Sequence, residues 1–213
     1  MQSVVQGVAS PHPPMQRLQT IIFPIDLFLS ELAPDALARS VTEDVMTIVR
    51  TDKDVQAGTL KLAQLVESKV VPHFNFQHMT QLAVGPYWRQ ATLEQQQALV
   101  DEFRTLLVRT YTTAFMQYRD HGVDYKPLHM APDDSDAIVK SLIRQPNGQP
   151  IAIDYSMEKL EGEWKVYDVR IEGMSLIENY RSTFNSEIQK KGVDGLIKAL
   201  SDKNKMVAAQ AKR

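Results

Sequence analysis

The stretch from Ile138 to Gly173 constrains the fold most strongly, because its apolar residues change from a helical spacing to a two-residue alternation. It contains three strand-like runs, which turns at Asn147-Gly148 and at Glu161-Gly162 separate. Asn-Gly is a strong hairpin signal, since both of its residues tolerate positive φ. The stretch therefore predicts an antiparallel meander, and a fourth strand is expected around Val123 to Met130.

Helical spacing surrounds this meander on both sides. Before it, Thr92 to Gln95 has the pattern of a capping box, which opens the longest predicted helix, from Leu93 to Tyr118. After it, apolar residues recur from Leu176 to Ile188, and Gly192 then interrupts the pattern. This order of helices, meander and helices predicts an α+β fold, in which helices pack on an antiparallel sheet.

The chain of 213 residues divides into three parts. We expect a leader or signal-like segment at 1–33, one α+β domain at 34–205 and a polar tail at 206–213. The leader contains an apolar run that resembles a secretory signal, although Pro24 and Asp26 interrupt that run.

The amino-acid composition and the spacing of a few residues argue against several classes of functional site. The chain has no cysteine, which excludes disulfides and thiolate catalysis. Its 24 basic and 26 acidic residues lack the basic excess that is typical of nucleic-acid binding. The glycines form no phosphate-binding loop, and His73 and His78 are spaced so that they do not share a helix face. We therefore expect no nucleic-acid partner, no metal and no cofactor.

Ser175 lies where a predicted strand changes into a predicted helix, which raises the question of a nucleophilic serine. A nucleophile elbow requires the pattern G-x-S-x-G, but Ile177 occupies the position of the second glycine. Ser175 and Glu178 instead have the spacing of a helix capping box. We therefore interpret Ser175 as a helix cap.

Neighbouring elements carry an unusual amount of apolar surface. Two predicted strands have apolar faces, which consist of Ile151, Ile153, Tyr155 and Met157 on one and of Tyr167, Val169 and Ile171 on the next. The long predicted helix is apolar over more than a narrow stripe. These faces either pack into an ordinary core or stand apart as the walls of an apolar pocket, and periodicity does not distinguish the two arrangements.

Four blocks of the sequence carry a resemblance to a known family: VVPHFNF at Val70 to Phe76, the block from Leu82 to Tyr111, GEWKVYDVRIEGMSLIENYRSTF at Gly162 to Phe184, and KGVDGLIKAL at Lys191 to Leu200. Through these blocks, the chain from Pro34 to Lys203 resembles the MlaC or toluene-tolerance auxiliary family. Its members are periplasmic phospholipid-binding proteins of the bacterial Mla (maintenance of lipid asymmetry) pathway.

The resemblance implies a mixed fold with a part like nuclear transport factor 2 (NTF2-like), which encloses a hydrophobic cavity for lipid acyl chains. It implies a periplasmic, monomeric carrier that has phospholipid as its cargo and no catalytic residue. The implied partners are an outer-membrane lipoprotein–porin complex and an inner-membrane ABC transporter complex with its substrate-binding ring. Asn75 stands where the family usually has aspartate.

On this basis we predict eight lipid-binding residues, which are Leu107, Tyr111, Ile153, Tyr155, Val169, Ile171, Met174 and Tyr180. Arg170 and Arg181 are the candidates for contact with a lipid phosphate.

Two other functions remain open from the residues. One is a small-molecule enzyme that uses Asp168 and Tyr155 in an apolar pocket, and Asp154 on the adjacent strand is a possible second carboxylate. The other is an adaptor that binds no ligand and whose apolar faces are all core.

Overall fold

The protein is described by a computed structural model over residues 32–131 and 133–210, so most of the predicted leader and the last residues of the predicted tail lie outside the described residues. The helices are α1 (Pro34–Thr51), α2 (Lys53–Ala57), α3 (Thr59–Lys69), α4 (Phe76–Val84), α5 (Leu93–Gln117) and α6 (Leu176–Gln210). The strands are β1 (Val123–Tyr125), β2 (Asp136–Ile143), β3 (Ile151–Leu160), β4 (Glu163–Ile171) and β5 (Met174–Ser175).

The five strands form one antiparallel sheet in the order β1-β2-β3-β4-β5, so each strand pairs with its neighbour in sequence. The α1, α2, α3, α4 and α5 helices precede this meander and α6 follows it. The predicted α+β class, with helices packed on an antiparallel meander, is confirmed.

Side-chain caps define where α4, α5 and α6 begin. The Thr92 hydroxyl accepts a hydrogen bond from the Gln95 amide (3.2 Å), and the Gln95 side chain accepts one from the Thr92 amide (3.0 Å), so the predicted capping box opens α5. The Ser175 hydroxyl accepts the amide of Glu178 (3.0 Å) at the start of α6, as predicted. Asn75 caps α4 in the same way through the amide of His78 (3.0 Å).

Two hairpins of the meander, β2–β3 and β3–β4, differ in their turns. Glu161-Gly162 is a two-residue turn in which both residues have positive φ (52° and 90°), which matches the twist of the flanking strands. At Asn147-Gly148 the predicted hairpin exists, but the predicted tight turn is wrong. Seven residues, 144–150, separate β2 from β3, and neither Asn147 nor Gly148 has positive φ. Pro146 and Pro150 lack the N–H groups that would extend the ladder to this turn.

Another proline, Pro127, shortens the first strand. We expected a strand around Val123 to Met130, but β1 ends at Tyr125. Lys126 still donates its amide to the carbonyl of Lys140 (2.9 Å), and Pro127 then has no N–H for further pairing.

The α6 helix bends at Gly192, as its sequence predicts. This glycine has a φ of 72°, a backbone conformation that residues other than glycine rarely adopt. Beyond it, Leu196 and Leu200 are buried, and the helix continues to Gln210 with Val207 against the core. The segment predicted as a polar tail therefore begins inside α6.

Buried apolar side chains form three separate clusters. The helical cluster lies between α4, α5 and α6 and contains Met79, Ala83, Val84, Trp88, Leu99, Phe103, Leu106, Leu107, Ile177, Phe184, Ile188, Leu196 and Leu200. The sheet cluster joins α1 to the inner face of the sheet through Leu37, Ala137, Val139, Met157, Trp164 and Val166. The α1–α3 cluster contains Val45, Val49, Val55, Leu62 and Leu65.

Within the described ranges, no helix combines the length and the apolar character that crossing a membrane requires.

Candidate functional site

A cavity of about 450 Å³ lies between the three clusters. The C-terminal half of α5 forms one wall, and the inner face of β2, β3 and β4 forms another. Residues of α1, α3 and α4 close the remaining sides, and each cluster has neighbours in the lining. The volume lies within the range of about 300–1,000 Å³ that is typical of small-molecule sites.

The lining of this cavity is almost entirely apolar. Its described residues include no Asp, Glu, Lys, Arg or His side chain. The polar groups are a few hydroxyls and one amide, on Thr42, Tyr111, Thr112, Gln117, Tyr118 and Tyr155. Such a surface favours hydrocarbon over any charged group, because a charge placed there would lose its hydration without finding a partner.

The pleat of the sheet selects which strand residues face the cavity. Ile151, Ile153 and Tyr155 alternate along β3 and point inward, and the pairs Ile153–Ile171 and Tyr155–Val169 extend the same face to β4. Side chains from two strands therefore meet in register and form a continuous apolar wall.

A bulge on β4 changes the face of one predicted residue. The register shifts between Ser156 and Met157, so that Tyr167 is an extra residue on β4. Its ring stacks on His78 (4.8 Å between centroids) and its hydroxyl donates to Asp136 (3.0 Å), on the side of the sheet away from the cavity. The expectation that Tyr167 shares a face with Val169 and Ile171 is therefore wrong.

Six of the eight predicted lipid-binding residues line the cavity, namely Leu107, Tyr111, Ile153, Tyr155, Val169 and Ile171. Met174 does not, since it lies on the edge strand β5 and is 71% exposed. Tyr180 does not line it either, because its ring packs edge-on against Phe103 (5.0 Å) in the helical cluster. The lipid-binding role of these residues stays a prediction.

Sequence analysis missed the walls contributed by the other helices. The lining includes Thr42 and Met46 from α1, Val66 from α3, and Phe76 and Met79 from α4. These positions belong to ordinary apolar helix faces, and no sequence signal separates them from neighbours that pack into the clusters.

Three tyrosines near the cavity are held in their neutral form. Burial raises the pKa of Tyr155 well above its usual range; the nearby Tyr125 adds to the rise and a hydrogen bond with Ser141 opposes it. Burial also raises the pKa of Tyr111, and it raises the pKa of Tyr180 to about 12. At neutral pH these phenols are uncharged hydrogen-bonding groups.

The candidate catalytic carboxylates lie outside the cavity. Asp168 pairs with Ser156, on the face of the sheet opposite Tyr155, and accepts the amide of Ile177 (3.3 Å) at the start of α6. Asp154 is likewise absent from the lining. The combination of Asp168 and Tyr155 in one pocket is therefore not observed.

The two candidate phosphate-binding arginines already have protein partners. The guanidinium of Arg170 lies near Asp168 (3.8 Å) and Glu178 (3.7 Å). Arg181 donates to the carbonyl of Leu82 (2.8 Å) near the end of α4. Neither belongs to the cavity lining. The described part of the chain also contains no group of three or more residues that could hold a metal ion.

Comparison with known proteins gives relatives over most of the chain. The family model described as MlaC protein matches residues 39–202. The intermembrane phospholipid transport system binding protein MlaC of Haemophilus influenzae is 24% identical over 179 residues, which cover 79% of this chain and 81% of that protein. The toluene tolerance protein ttg2D of Pseudomonas putida is 32% identical over 108 residues, which cover 51% of this chain and 50% of that protein.

A solved structure shares the fold. The phospholipid-binding protein from Ralstonia solanacearum, determined in complex with a phospholipid, is similar with a TM-score of 0.77 and 41% sequence identity. The similarity covers 83% of this chain and 99% of that one. Because the family match spans well over half of the residues and the fold agrees, the chain belongs to the MlaC family.

Proposed function

We propose that this protein is a phospholipid carrier that buries lipid acyl chains in the cavity between α5 and the sheet. The observation that carries the proposal is the uncharged, apolar lining of a cavity of about 450 Å³. The relatives named above as phospholipid-binding and phospholipid-transport proteins support it.

The energetics of lipid transfer require such a cavity. Burial of one CH₂ group contributes about 0.8 kcal/mol, so two acyl chains of about fifteen groups each contribute on the order of 20 kcal/mol. A protein that carries a phospholipid through water must therefore shield the chains and can leave the charged head group hydrated. Met46 and Met79 in the lining suit variable chains, because the methionine side chain is flexible and polarisable.

We extend the proposal to the compartment and the partners of this carrier. The carrier works in the periplasm and exchanges phospholipid with an outer-membrane lipoprotein–porin complex and an inner-membrane ABC transporter complex with its substrate-binding ring. The name of the Haemophilus influenzae relative, an intermembrane phospholipid transport binding protein, supports a task of this kind. The carrier acts as a monomer and uses no cofactor, with phospholipid as its cargo.

The first experiment identifies the cargo. The full chain is purified without detergent, denatured and extracted with organic solvent, and the extract is analysed by mass spectrometry. We expect phospholipid in stoichiometric amount. Folded protein that is empty and takes up no phospholipid from vesicles would contradict the proposal and favour the enzyme or adaptor functions.

A matched pair of variants then tests whether the cavity is the lipid-binding site. Ile153→Asp places a carboxylate in the apolar cavity, whereas Ile138→Asp makes the same change on β2 at a side chain that is 50% exposed. We expect Ile153→Asp to lose the bound lipid, because burying the charge costs several kcal/mol. Ile138→Asp should keep it. If Ile153→Asp is folded by circular dichroism and still carries lipid, the cavity is not the binding site.

A further inference from the structure

The loop that joins β2 to β3 holds a dipeptide that neither the packing of the fold nor the cavity uses. Asn147 and Gly148 lie in the middle of residues 144–150, outside the helices and strands, and both are exposed to water. The loop connects Ile143 to Ile151, whose side chains both line the cavity. A covalent change in this loop therefore occurs only a few residues from the cavity wall.

The two groups that can react with each other in this dipeptide have no protein partner. Within the described residues, the Asn147 side-chain amide makes no hydrogen bond, and the backbone N–H of Gly148 makes none of normal geometry. Breaking a hydrogen bond is therefore not required before the Gly148 nitrogen can approach the side-chain carbonyl carbon of Asn147.

The backbone conformation does not require glycine at position 148. Gly148 has no positive φ, so an L-amino acid can adopt its conformation. A Cβ atom added there would lie 2.7 Å from Oε1 of Gln145, which is the end of a flexible side chain and can move aside. What glycine provides at this position is a backbone nitrogen that no side chain shields.

The other four of the five asparagines in the chain are held by the fold. Asn75 donates from Nδ2 to Glu158 (2.9 Å) and accepts the amide of His78 (3.0 Å). The remaining three lie within α6 and are Asn179, Asn185 and Asn204. In a helix the amide that follows each asparagine belongs to the backbone hydrogen-bond ladder, which keeps it away from the side chain. Asn147 is therefore the asparagine whose neighbouring amide the fold leaves accessible.

We propose that Asn147 is a site of spontaneous deamidation through a cyclic imide formed with Gly148. The Gly148 nitrogen attacks Cγ of Asn147 and a C–N bond forms, while the bond from Cγ to Nδ2 breaks and ammonia leaves with the proton of the Gly148 amide. Water then adds to one of the two ring carbonyls and breaks its bond to nitrogen. The product is aspartate or isoaspartate, without any oxidation or reduction.

The products change both the charge and the geometry of the loop. Either one replaces a neutral amide by a carboxylate, and isoaspartate also adds the side-chain methylene to the backbone between Pro146 and Gly148. Asparagine is among the thermolabile residues for reactions of this kind. The modification requires only water, so the inference does not depend on the proposed carrier function.

Timed incubation of the full chain at mildly alkaline pH tests the site. Proteolytic peptides are analysed by mass spectrometry, and isoaspartate is detected with an isoaspartyl methyltransferase. We expect the peptide that contains Asn147 to convert to both products while the peptides of the other four asparagines stay unchanged. The rate should lie within about threefold of the rate in the guanidinium-unfolded chain, a difference of less than about 1 kcal/mol in activation free energy.

Two loop variants test the role of the unshielded nitrogen. Gly148→Ala keeps Asn147 and adds a methyl group beside the attacking nitrogen, so the rate should fall by at least about tenfold, or about 1.4 kcal/mol. Gln149→Ala is the matched control, because it changes an exposed neighbour and leaves both reacting groups in place. It should keep the rate of the unaltered protein, and circular dichroism checks that both variants are folded.

The other outcomes would each overturn a part of the proposal. A rate in the folded chain more than about tenfold below that of the unfolded chain would show that the loop restrains the pair. Formation of aspartate without isoaspartate would refute the cyclic imide, because direct hydrolysis of the amide leaves the backbone unchanged. An unaltered rate in Gly148→Ala would refute the role of the glycine. Equal conversion at Asn75 or in α6 would refute the selectivity assigned to the fold.

Discussion

The two halves of α5 carry similar apolar patterns but face different surroundings. In the N-terminal half, Leu99 and Phe103 are fully buried against α4 and α6. In the C-terminal half, Tyr111, Ala114 and Phe115 are only partly buried and line the cavity. The difference lies in the opposing elements. The α4 and α6 helices pack directly against the first half, whereas the second half packs against the α1–α3 cluster on one side and faces the sheet across the cavity on the other.

This contrast shows how one helix serves both stability and binding. Packed apolar atoms gain dispersion contacts on all sides, whereas atoms that line a cavity have no protein contacts on one side. The first half therefore stabilises the fold, and the second half keeps contact surface that a ligand can use. Tyr180 lies at the boundary between the two regions.

The largest expected effect comes from deleting one ring in each half. Phe103→Ala should reduce the free energy of unfolding by about 3–5 kcal/mol, because it leaves a hole in a fully packed cluster. Phe115→Ala should cost about 1–2 kcal/mol, because its ring lines the cavity and has protein contacts on only one side. Urea denaturation of both variants measures the difference. Equal losses would show that the two halves are packed alike.

Replacing an alanine by phenylalanine tests the same comparison in the opposite direction, because it adds a ring to each region. Ala83 is fully buried in the helical cluster, so Ala83→Phe should destabilise the protein by about 1–3 kcal/mol through overpacking. Ala114 lines the cavity, so Ala114→Phe should change stability by less than about 1 kcal/mol and reduce the amount of bound lipid. The measurements are urea denaturation and lipid quantification. A strongly destabilised Ala114→Phe would indicate that the cavity is closed in solution.

The smallest expected effect concerns Tyr180, at the boundary between the two halves, and the pH dependence of the unfolding free energy at alkaline pH. The pKa of Tyr180 rises from 10.0 to about 12 on folding, so the unfolded chain loses this proton first as the pH increases. The contribution of the neutral phenol to stability is complete below pH 10 and is lost as the pH rises through 12. Tyr180→Phe should therefore lose less unfolding free energy than the unaltered protein between about pH 9 and about pH 11. Identical losses would place the Tyr180 hydroxyl in water.

Local signals in the sequence predicted the elements of the fold well. The capping box at Thr92, the cap at Ser175, the break at Gly192 and the turn at Glu161-Gly162 all depend on the conformation of a few adjacent residues. Such preferences act before any tertiary contact forms, so they can be read directly. The tight turn expected at Asn147-Gly148 failed for a local reason too, because the flanking prolines have no N–H to pair.

Other features depended on contacts between distant residues. The bulge that turns Tyr167 away from Val169 depends on how β4 pairs with β3, and periodicity along one strand does not reveal it. In the same way, the apolar spacing of α5 specifies which face is hidden from water, but not what stands opposite that face. The same apolar side chains can form a core or the wall of a cavity. The outcome depends on the distance between the opposing elements, and the packed clusters around the site set that distance. For this protein, the α+β order and the apolar faces follow from local residue patterns, and the cavity follows from the arrangement of the three clusters.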